Sequence, residues 1–185
     1  MPDPRAWTVL SSKRLVDDRW LRLEAQRVRT AQGVELDPFY LIDERSWACV
    51  LAVVPDGRLV LVEQYRHGAG AVTLELPAGD IDAGEEPAAT AVRELTEETG
   101  YRAAGAPLAL GRLWPEPGRN RSSGWGFFVR VLAEPADATP EASEAIVVRL
   151  MSVAEVLAAY ADGRFRHAVH VALLFQCLAQ GLIAR

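Results

Sequence analysis

The order of apolar and polar positions along this chain predicts strands first and helices later. Trp20–Val28 and Val34–Ile42 read as two strands, with Ala31-Gln32-Gly33 between them as a hairpin turn. Trp47–Val54 is a nearly unbroken apolar run, which predicts a strand buried on both faces. The turn Pro55-Asp56-Gly57 then leads into Leu59–Glu63, so a second hairpin is expected. Further strands are predicted at Val72–Leu76, Leu108–Trp114, Gly126–Leu132 and Ala145–Met151, with an exposed loop over Glu134–Ser143, where Pro, Ala, Asp and Glu dominate. The clearest helix is Glu86–Thr99, which has an acidic first turn, Pro87 near its start and Gly100 as its stop. Ser152–Tyr160 follows as a helix with Ser152 and Glu155 at capping-box spacing, and Phe165–Gln180 as a terminal helix. The pattern predicts an α+β fold, an α/β/α sandwich with a mixed sheet.

Composition narrows the class without naming a chemistry. Half of the 185 residues are hydrophobic and 24% are charged, as in ordinary globular proteins. The net charge of −5 offers no basic field for a nucleic-acid backbone, so no nucleic-acid partner is expected. An acidic protein that binds an anion needs local cations, from a metal ion or from clustered arginines. No apolar stretch approaches the roughly 20 residues needed to span a bilayer, and the first eight residues lack the apolar core of a secretory signal. A cytoplasmic protein without membrane association is therefore expected. Cys49 and Cys177 each sit in an apolar run without zinc-ligand spacing, which predicts two buried free thiols.

The informative stretch runs from Leu76 to Tyr101. Glu94, Glu97 and Glu98 stand at i, i+3 and i+4 and share one helix face, while Ala91, Val92 and Leu95 can pack on a sheet. Like charges at this spacing cost about 0.2–0.5 kcal/mol per pair, and a bound divalent cation would reverse that sign. Mg²⁺ is a hard ion that takes oxygen ligands and suits a few carboxylates plus substrate phosphates. A solvated acidic face is the other reading of the three glutamates alone. The surrounding residues decide between them. Gly79, five residues, Glu85, seven residues, Arg93-Glu94, two residues, Glu97-Glu98, one residue and Gly100 form a fixed frame. At a usage of roughly 7% per common residue, its chance occurrence is on the order of 10⁻⁸ per window.

In this frame the chain resembles the Nudix hydrolase family at every fixed position; only Tyr101, where an aliphatic residue is more usual, departs from it. The resemblance implies a metal-dependent pyrophosphohydrolase that cleaves a diphosphate with water, using Mg²⁺ or Mn²⁺. It implies Glu94, Glu97 and Glu98 as metal ligands together with the carbonyl of Ala78, and Gly79 as the residue that lets the loop approach the ion. Glu85 and Arg93 would pair to orient the site, and Gly100 would end the helix. The general base is Glu97, or Glu144 or Glu141 in the loop after the frame.

Segments outside the frame bear on the substrate. Glu63-Gln-Tyr-Arg-His-Gly68 and Leu74-Glu-Leu-Pro-Ala-Gly79 resemble the ADP-ribose and nucleoside-diphosphate-sugar pyrophosphatase branch, and Pro117 stands sixteen residues after the frame, as in that branch. Arg66 would then bind a phosphate. Arg119 and Arg121 follow Gly118 where acidic residues are commoner, which implies a more anionic ligand or a solvated basic loop. Residues 1–44 resemble the N-terminal β-region of dimeric relatives, leaving 45–185 as the hydrolase domain and implying a homodimer. Trp7, Trp20 and Tyr40 are base-stacking, core or interface candidates. His167 and His170, at i and i+3, are read as partly buried helix residues. ADP-ribose, cleaved to AMP and ribose 5-phosphate, or another nucleoside diphosphate sugar is the expected substrate. Hydrolysis of dinucleotides or other nucleotides, and a non-catalytic nucleotide-binding module, are the alternatives.

Overall fold

The computed structural model describes residues 3–140 and 145–184. The described strands are β1 (Thr8–Asp17), β2 (Arg22–Arg29), β3 (Glu35–Asp43), β4 (Trp47–Val53), β5 (Leu59–Arg66), β6 (Ala71–Glu75), β7 (Ala78–Asp80), β8 (Leu108–Leu113), β9 (Gly124–Arg130) and β10 (Val147–Met151). The described helices are α1 (Pro87–Thr99), α2 (Val153–Asp162) and α3 (Ala168–Ala179), and none of them is long and apolar enough to cross a membrane. The chain divides into two compact units. One comprises Met1–Arg45 with Trp114–Ser123, and the other Ser46–Leu113 with Gly124–Arg185. The smaller unit therefore takes in a later segment, 114–123, that hydropathy alone does not assign to it.

The smaller unit is a three-stranded antiparallel sheet in the order β1-β2-β3. Gly33, at φ 85°, makes the tight turn between β2 and β3, where the sequence places it. β1 is the strand that hydropathy misses. Its residues are almost all exposed, so no period-two burial pattern is impressed on its sequence. The later segment joins through backbone hydrogen bonds. Ile42 N–H donates to the Arg119 carbonyl at 2.8 Å, and Arg121 N–H donates to the Ile42 carbonyl at 2.9 Å.

The larger unit is built on a seven-stranded mixed sheet in the order β10-β5-β4-β9-β8. β4 lies at its centre, parallel to β9 and antiparallel to β5. Side chains alternate across β4 with period two. Ala48, Val50 and Ala52 pack with Ala91 and Leu95 of α1, whereas Cys49, Leu51 and Val53 pack with residues of α2 and α3. Helices thus cover both faces of the sheet, which is why the strand reads as unbroken apolar sequence. Each fully buried leucine here stabilises the fold by roughly 1.5–3 kcal/mol.

The hairpin expected between β4 and β5 is shorter than the sequence implies. The two strands pair directly only at Ala52↔Val60 and Val53↔Leu59. Beyond that point they part. β6 pairs with the far half of β5, and β7 pairs with Trp47–Cys49 of β4. Two short strands joined by Leu76-Pro77 therefore fill the split, with Val50 N–H donating to the Pro77 carbonyl at 3.1 Å. Three residues directly after a proline carry too little pattern to announce β7.

Helix boundaries shift in small but meaningful ways. α1 begins at Pro87, so Glu85 and Glu86 precede the helix and its first turn carries no acidic residue. Gly100 ends it in the left-handed region at φ 74°, and a Cβ there would also overlap the Ala136 carbonyl. Ser152 and Glu155 form the reciprocal capping box of α2. α3 starts at Ala168 instead of near Phe165, because the chain first turns through Gly163 at φ 88° and buries Phe165 in the core. Cys49 and Cys177 are buried free thiols, and burial raises both, the second to about 11.

Gly126 in β9 is sterically required, because a Cβ there would overlap the side chain of the buried Leu173. Gly126→Ala should destabilise the protein by about 1–3 kcal/mol through overpacking, read as a lowered urea midpoint with an unchanged slope.

Candidate active site

The site is assembled where the β6–β7 insertion meets α1. Leu95 and Ala91 dock the helix on the sheet, so the opposite faces of the same turns carry the acidic residues. Glu98 is buried, at 2% exposure, and accepts a hydrogen bond from the Ala78 N–H at 3.1 Å. Glu94 lies against Gly79 so closely that a Cβ on Gly79 would overlap its carboxylate. A side chain at 79 would force the Glu94 carboxylate to shift, and two of the three helix carboxylates are pressed against the backbone of residues 78–79.

Arg93 organises the remainder. Its Nε donates to Glu85 Oε1 at 3.0 Å and its Nη2 to Glu85 Oε2 at 3.2 Å, while Nη2 also donates to the Asp80 carbonyl at 3.2 Å. Its Nη1 faces the helix carboxylates, 2.7 Å from Glu94 Oε1 and 2.9 Å from Glu97 Oε2. One guanidinium therefore ties the loop before the helix to two carboxylates on it. Its bonds to Arg93, then to Thr90 and the Asp82 N–H, draw the Glu85 carboxyl down to about 2. The same pairing raises Arg93 further above its already high value.

Glu94, Glu97, Glu98 and the backbone carbonyl of Ala78 are oxygen donors, the ligand type that a hard divalent cation takes. Among the described residues no three acidic, histidine or cysteine side chains converge as a ready-made metal cage. Instead Arg93 supplies the positive charge next to Glu94 and Glu97. The Glu94 carboxylate stands where a Cβ on Gly79 would go, so an oxygen donor of the helix lies directly against the loop. Glu141 and Glu144 lie outside the described residues. The chain leading towards them is tied to this helix: Ala136 N–H donates to the Gly100 carbonyl at 2.9 Å, and Thr139 N–H to the Glu97 carbonyl at 2.8 Å.

Beside the loop opens a cavity of about 560 Å³ whose lining includes Trp47, Arg66, Ala78, Gly79, His167 and His170. Arg66 makes a bidentate pair with Glu75, at 3.1 and 2.7 Å, and Thr73 Oγ1 donates to Glu75 Oε1 at 2.6 Å. Burial opposes ionisation of Glu75, but the bonds from Arg66 and Thr73 outweigh it, and its carboxyl stays below the usual range. His167 and His170 stack with ring centroids 3.9 Å apart, and Trp47 stands edge-on to both. Burial pushes both imidazoles down, His170 furthest, so they are neutral. The sequence reading places these histidines on the terminal helix as partly buried residues. In the structure His167 is the residue before α3 and His170 is 1% exposed. Glu75, Arg166 and the histidines carry no local signal of a shared cavity, since they come from segments about 90 residues apart.

Pro117, Arg119 and Arg121 belong to the smaller unit. There Arg121 pairs with Glu24 at 3.2 and 3.3 Å, and this contact is the leading cause of the low Glu24 carboxyl pKa. Trp7, Trp20 and Tyr40 are exposed, with Trp7 edge-on to Phe39 and Arg19 over the Trp20 ring. They are not core residues.

Comparison with known proteins adds the following. Residues 44–174 match the NUDIX domain family, and residues 7–42 match the nucleoside diphosphate sugar hydrolase N-terminal domain. An ADP-ribose pyrophosphatase of Bacillus subtilis (strain 168) is 50% identical over 54 residues, 29% of each chain. A methanol dehydrogenase activator of Bacillus methanolicus is 32% identical over 92 residues, 50% of this chain and 49% of that protein. An ADP-sugar pyrophosphatase of Mus musculus is 54% identical over 44 residues, 24% of this chain and 20% of that protein. The chain thus spans about half the length of these relatives or less. A solved structure described as an ADP compounds hydrolase superposes with a TM-score of 0.77 over 96% of this chain and 97% of that one, at 23% identity, which shows a shared fold.

The depressed Glu85 carboxyl sets a pH prediction. Its ionised form is stabilised in the folded protein, so its contribution is complete above its unfolded value of 4.5 and is lost as pH falls towards about 2. The melting-temperature gap between wild type and Glu85→Gln should be constant near neutrality and close across that acid window. A gap independent of pH down to 2 would remove Glu85 as the ionised partner of Arg93.

Proposed function

The chain belongs to the Nudix family, whose domain covers residues 44–174 of its 185, and on that premise we propose a divalent-metal-dependent pyrophosphohydrolase. The proposed substrate is a nucleoside diphosphate sugar, with ADP-ribose first and AMP plus ribose 5-phosphate as its products. The observation that carries this reading is the cradle at residues 78–79, where Glu94 and Glu98 meet the loop backbone with Glu97 and Arg93 beside them. The N-terminal match and the names of the relatives support the sugar nucleotide over a dinucleotide.

A diphosphate resists attack because its charge repels an oxygen nucleophile. When bound, Mg²⁺ or Mn²⁺ neutralises that charge and acidifies water. The residues proposed to hold it are Glu94, Glu98, Glu97 and the Ala78 carbonyl. Arg93 and Glu85 orient that set and do not react. A carboxylate must accept the proton of the attacking water. Glu144, which stands just before β10 in the sequence, is the proposed base; Glu97 and Glu141 are the alternatives. Arg66, oriented by Glu75, is the proposed phosphate contact in the cavity wall. Pro117, Arg119 and Arg121 are proposed substrate contacts on the sequence resemblance, with Arg119 favoured because Arg121 is engaged by Glu24. Two buried free thiols fit a reducing compartment, and cytoplasmic location is part of the proposal.

A phosphatase-coupled phosphate-release assay with Mg²⁺, run on ADP-ribose, other nucleoside diphosphate sugars and dinucleotides, tests the reading; inertness on all of them overturns it. Glu98→Gln should abolish turnover, a loss of at least about 10²-fold, with a near-unchanged melting temperature. Glu144→Gln should lower kcat far more than it changes KM. A kcat unchanged by that substitution moves the base to Glu97 or Glu141.

We further propose a homodimer formed through residues 1–44, since the sheet β1-β2-β3 exposes Val9, Leu15 and Tyr40 and Trp7 is exposed just before it. Light scattering after size exclusion should give twice the 20.2 kDa chain mass. A monomer at micromolar concentration would contradict it.

A further inference from the structure

The catalytic reading gives α3 no task, yet its His170 reaches the strand that leads into Ala78 and Gly79. β6 pairs with β5 along one edge, while β4 pairs with β7 instead of β6. The other edge of β6 must therefore find acceptors outside the sheet. Leu74 N–H donates to the Arg164 carbonyl at 3.1 Å, in the turn between α2 and α3. Leu76 N–H donates to Nδ1 of His170 at 3.3 Å. Both leucines are at most 2% exposed, so water cannot serve these groups. A buried N–H without an acceptor costs as much as a lost hydrogen bond. His170 thus does for β6 what the carbonyl of a neighbouring strand would do.

The ring is set up for that one bond. Nδ1 accepts, so it bears the lone pair, and in the neutral ring the proton sits on Nε2. Burial, with His167 and Arg66 nearby, disfavours the cation. Nε2 is buried and has no partner among the described residues. The Glu75 carboxylate lies 4.0 Å from Nδ1, beyond hydrogen-bond reach, and is held by Arg66 and Thr73. Leu76 N–H is therefore the group that Nδ1 meets. The imidazole is itself fixed, stacked on His167 with Trp47 edge-on.

The link from Leu76 to the helix carboxylates is short and stiff. Pro77 follows, with its own φ locked by its ring, and it confines Leu76 to extended conformations. The Pro77 carbonyl accepts from Val50 N–H at 3.1 Å, and Ala78 N–H donates to Glu98 at 3.1 Å. A shift at Leu76 would pass to Ala78 and Gly79 with few soft torsions to absorb it.

We propose that His170 is a positioning residue: through Nδ1 it holds Leu76, and with it the Ala78 carbonyl and Gly79, at the place where Glu94 and Glu98 of α1 meet them. The assignment rests on the divalent-metal reading of those donors and deepens it. His170 acts through the backbone and takes no part in the attack on phosphorus.

Mn²⁺ binding without substrate, followed by electron paramagnetic resonance, compares wild type with His170→Leu and His170→Asn. Asn offers a carbonyl oxygen near the place of Nδ1 and Leu offers none, while both lose the ring and its stacking on His167. His170→Leu should weaken Mn²⁺ roughly ten-fold, the scale of a lost supporting contact at a metal site, and His170→Asn should stay close to wild type. Hydrogen exchange at the Leu76 and Ala78 amides should quicken in His170→Leu alone, with the β9 amides unchanged. Equal Mn²⁺ affinity in all three proteins, or an equal loss in both variants, overturns the positioning role. Should neither variant fold, the wild type still decides. Its long-range ¹H–¹⁵N spectrum should show a bare Nδ1 and a protonated Nε2 for His170, and a protonated Nδ1 overturns the proposal. A wild type that binds Mn²⁺ but hydrolyses no nucleoside diphosphate sugar refutes the catalytic reading and leaves the role of His170 standing. A wild type that binds no Mn²⁺ overturns both.

Discussion

The guanidinium of Arg93 is the interaction on which the site depends. It reaches in two directions at once, to Glu85 and the Asp80 carbonyl in the loop and to Glu94 and Glu97 on the helix. Three carboxylates on one face of a helix repel one another, and a planar cation with several fixed donors answers that repulsion while pinning the loop. A lysine would supply the charge without the fork. Because Arg93, Glu85 and Asp80 are coupled, the position of Gly79 relative to Glu94 follows from the same contact set. The cradle proposed to hold a cation is therefore a consequence of an ion-pair network more than of any one ligand.

That network has to be mounted on something rigid, and the split sheet provides it. β4 and β5 part after two direct pairs, and β6 and β7 enter the gap, each satisfying the backbone of one parent strand. Pro77 lies at the junction, where a strand without an N–H is tolerated because its carbonyl accepts from Val50. The insertion carries Glu75 into one wall of the cavity and Ala78-Gly79 against Glu94 and Glu98 of the helix. Chemistry at both places is thus held by the best-buried strand of the protein, β4, whose residues from Ala48 to Val53 are at most 4% exposed.

Two kinds of buried polar group stand side by side in this arrangement. Glu75 is fully buried yet ionised, because Arg66 and Thr73 outweigh the cost of desolvation. His170 is as deeply buried and is neutral, with one nitrogen anchored to Leu76 and the other unanswered. The first is a closed account that orients an arginine. The second has one nitrogen without a partner among the described residues.

The sequence alone determined the α+β class, the apolar centre of the sheet, the helix over Glu86–Thr99 to within one residue of its start, and the spacing of Gly79, Glu85, Arg93, Glu94, Glu97 and Glu98. These are local: periodicity, a proline, a left-handed glycine and residues one or two turns apart are legible without the fold. The strands β1 and β7 were not legible, since one is exposed on both faces and the other is three residues long. Nor was the truncated β4–β5 hairpin, because nothing in Leu59–Arg66 announces that its second half pairs with β6. Only the tertiary structure brought Arg66 to Glu75, Trp47 to His167 and His170, and the segment 114–123 to the smaller unit. Those meetings join residues far apart in the chain, and the choice of partner is decided by sheet order and packing, which no local pattern encodes.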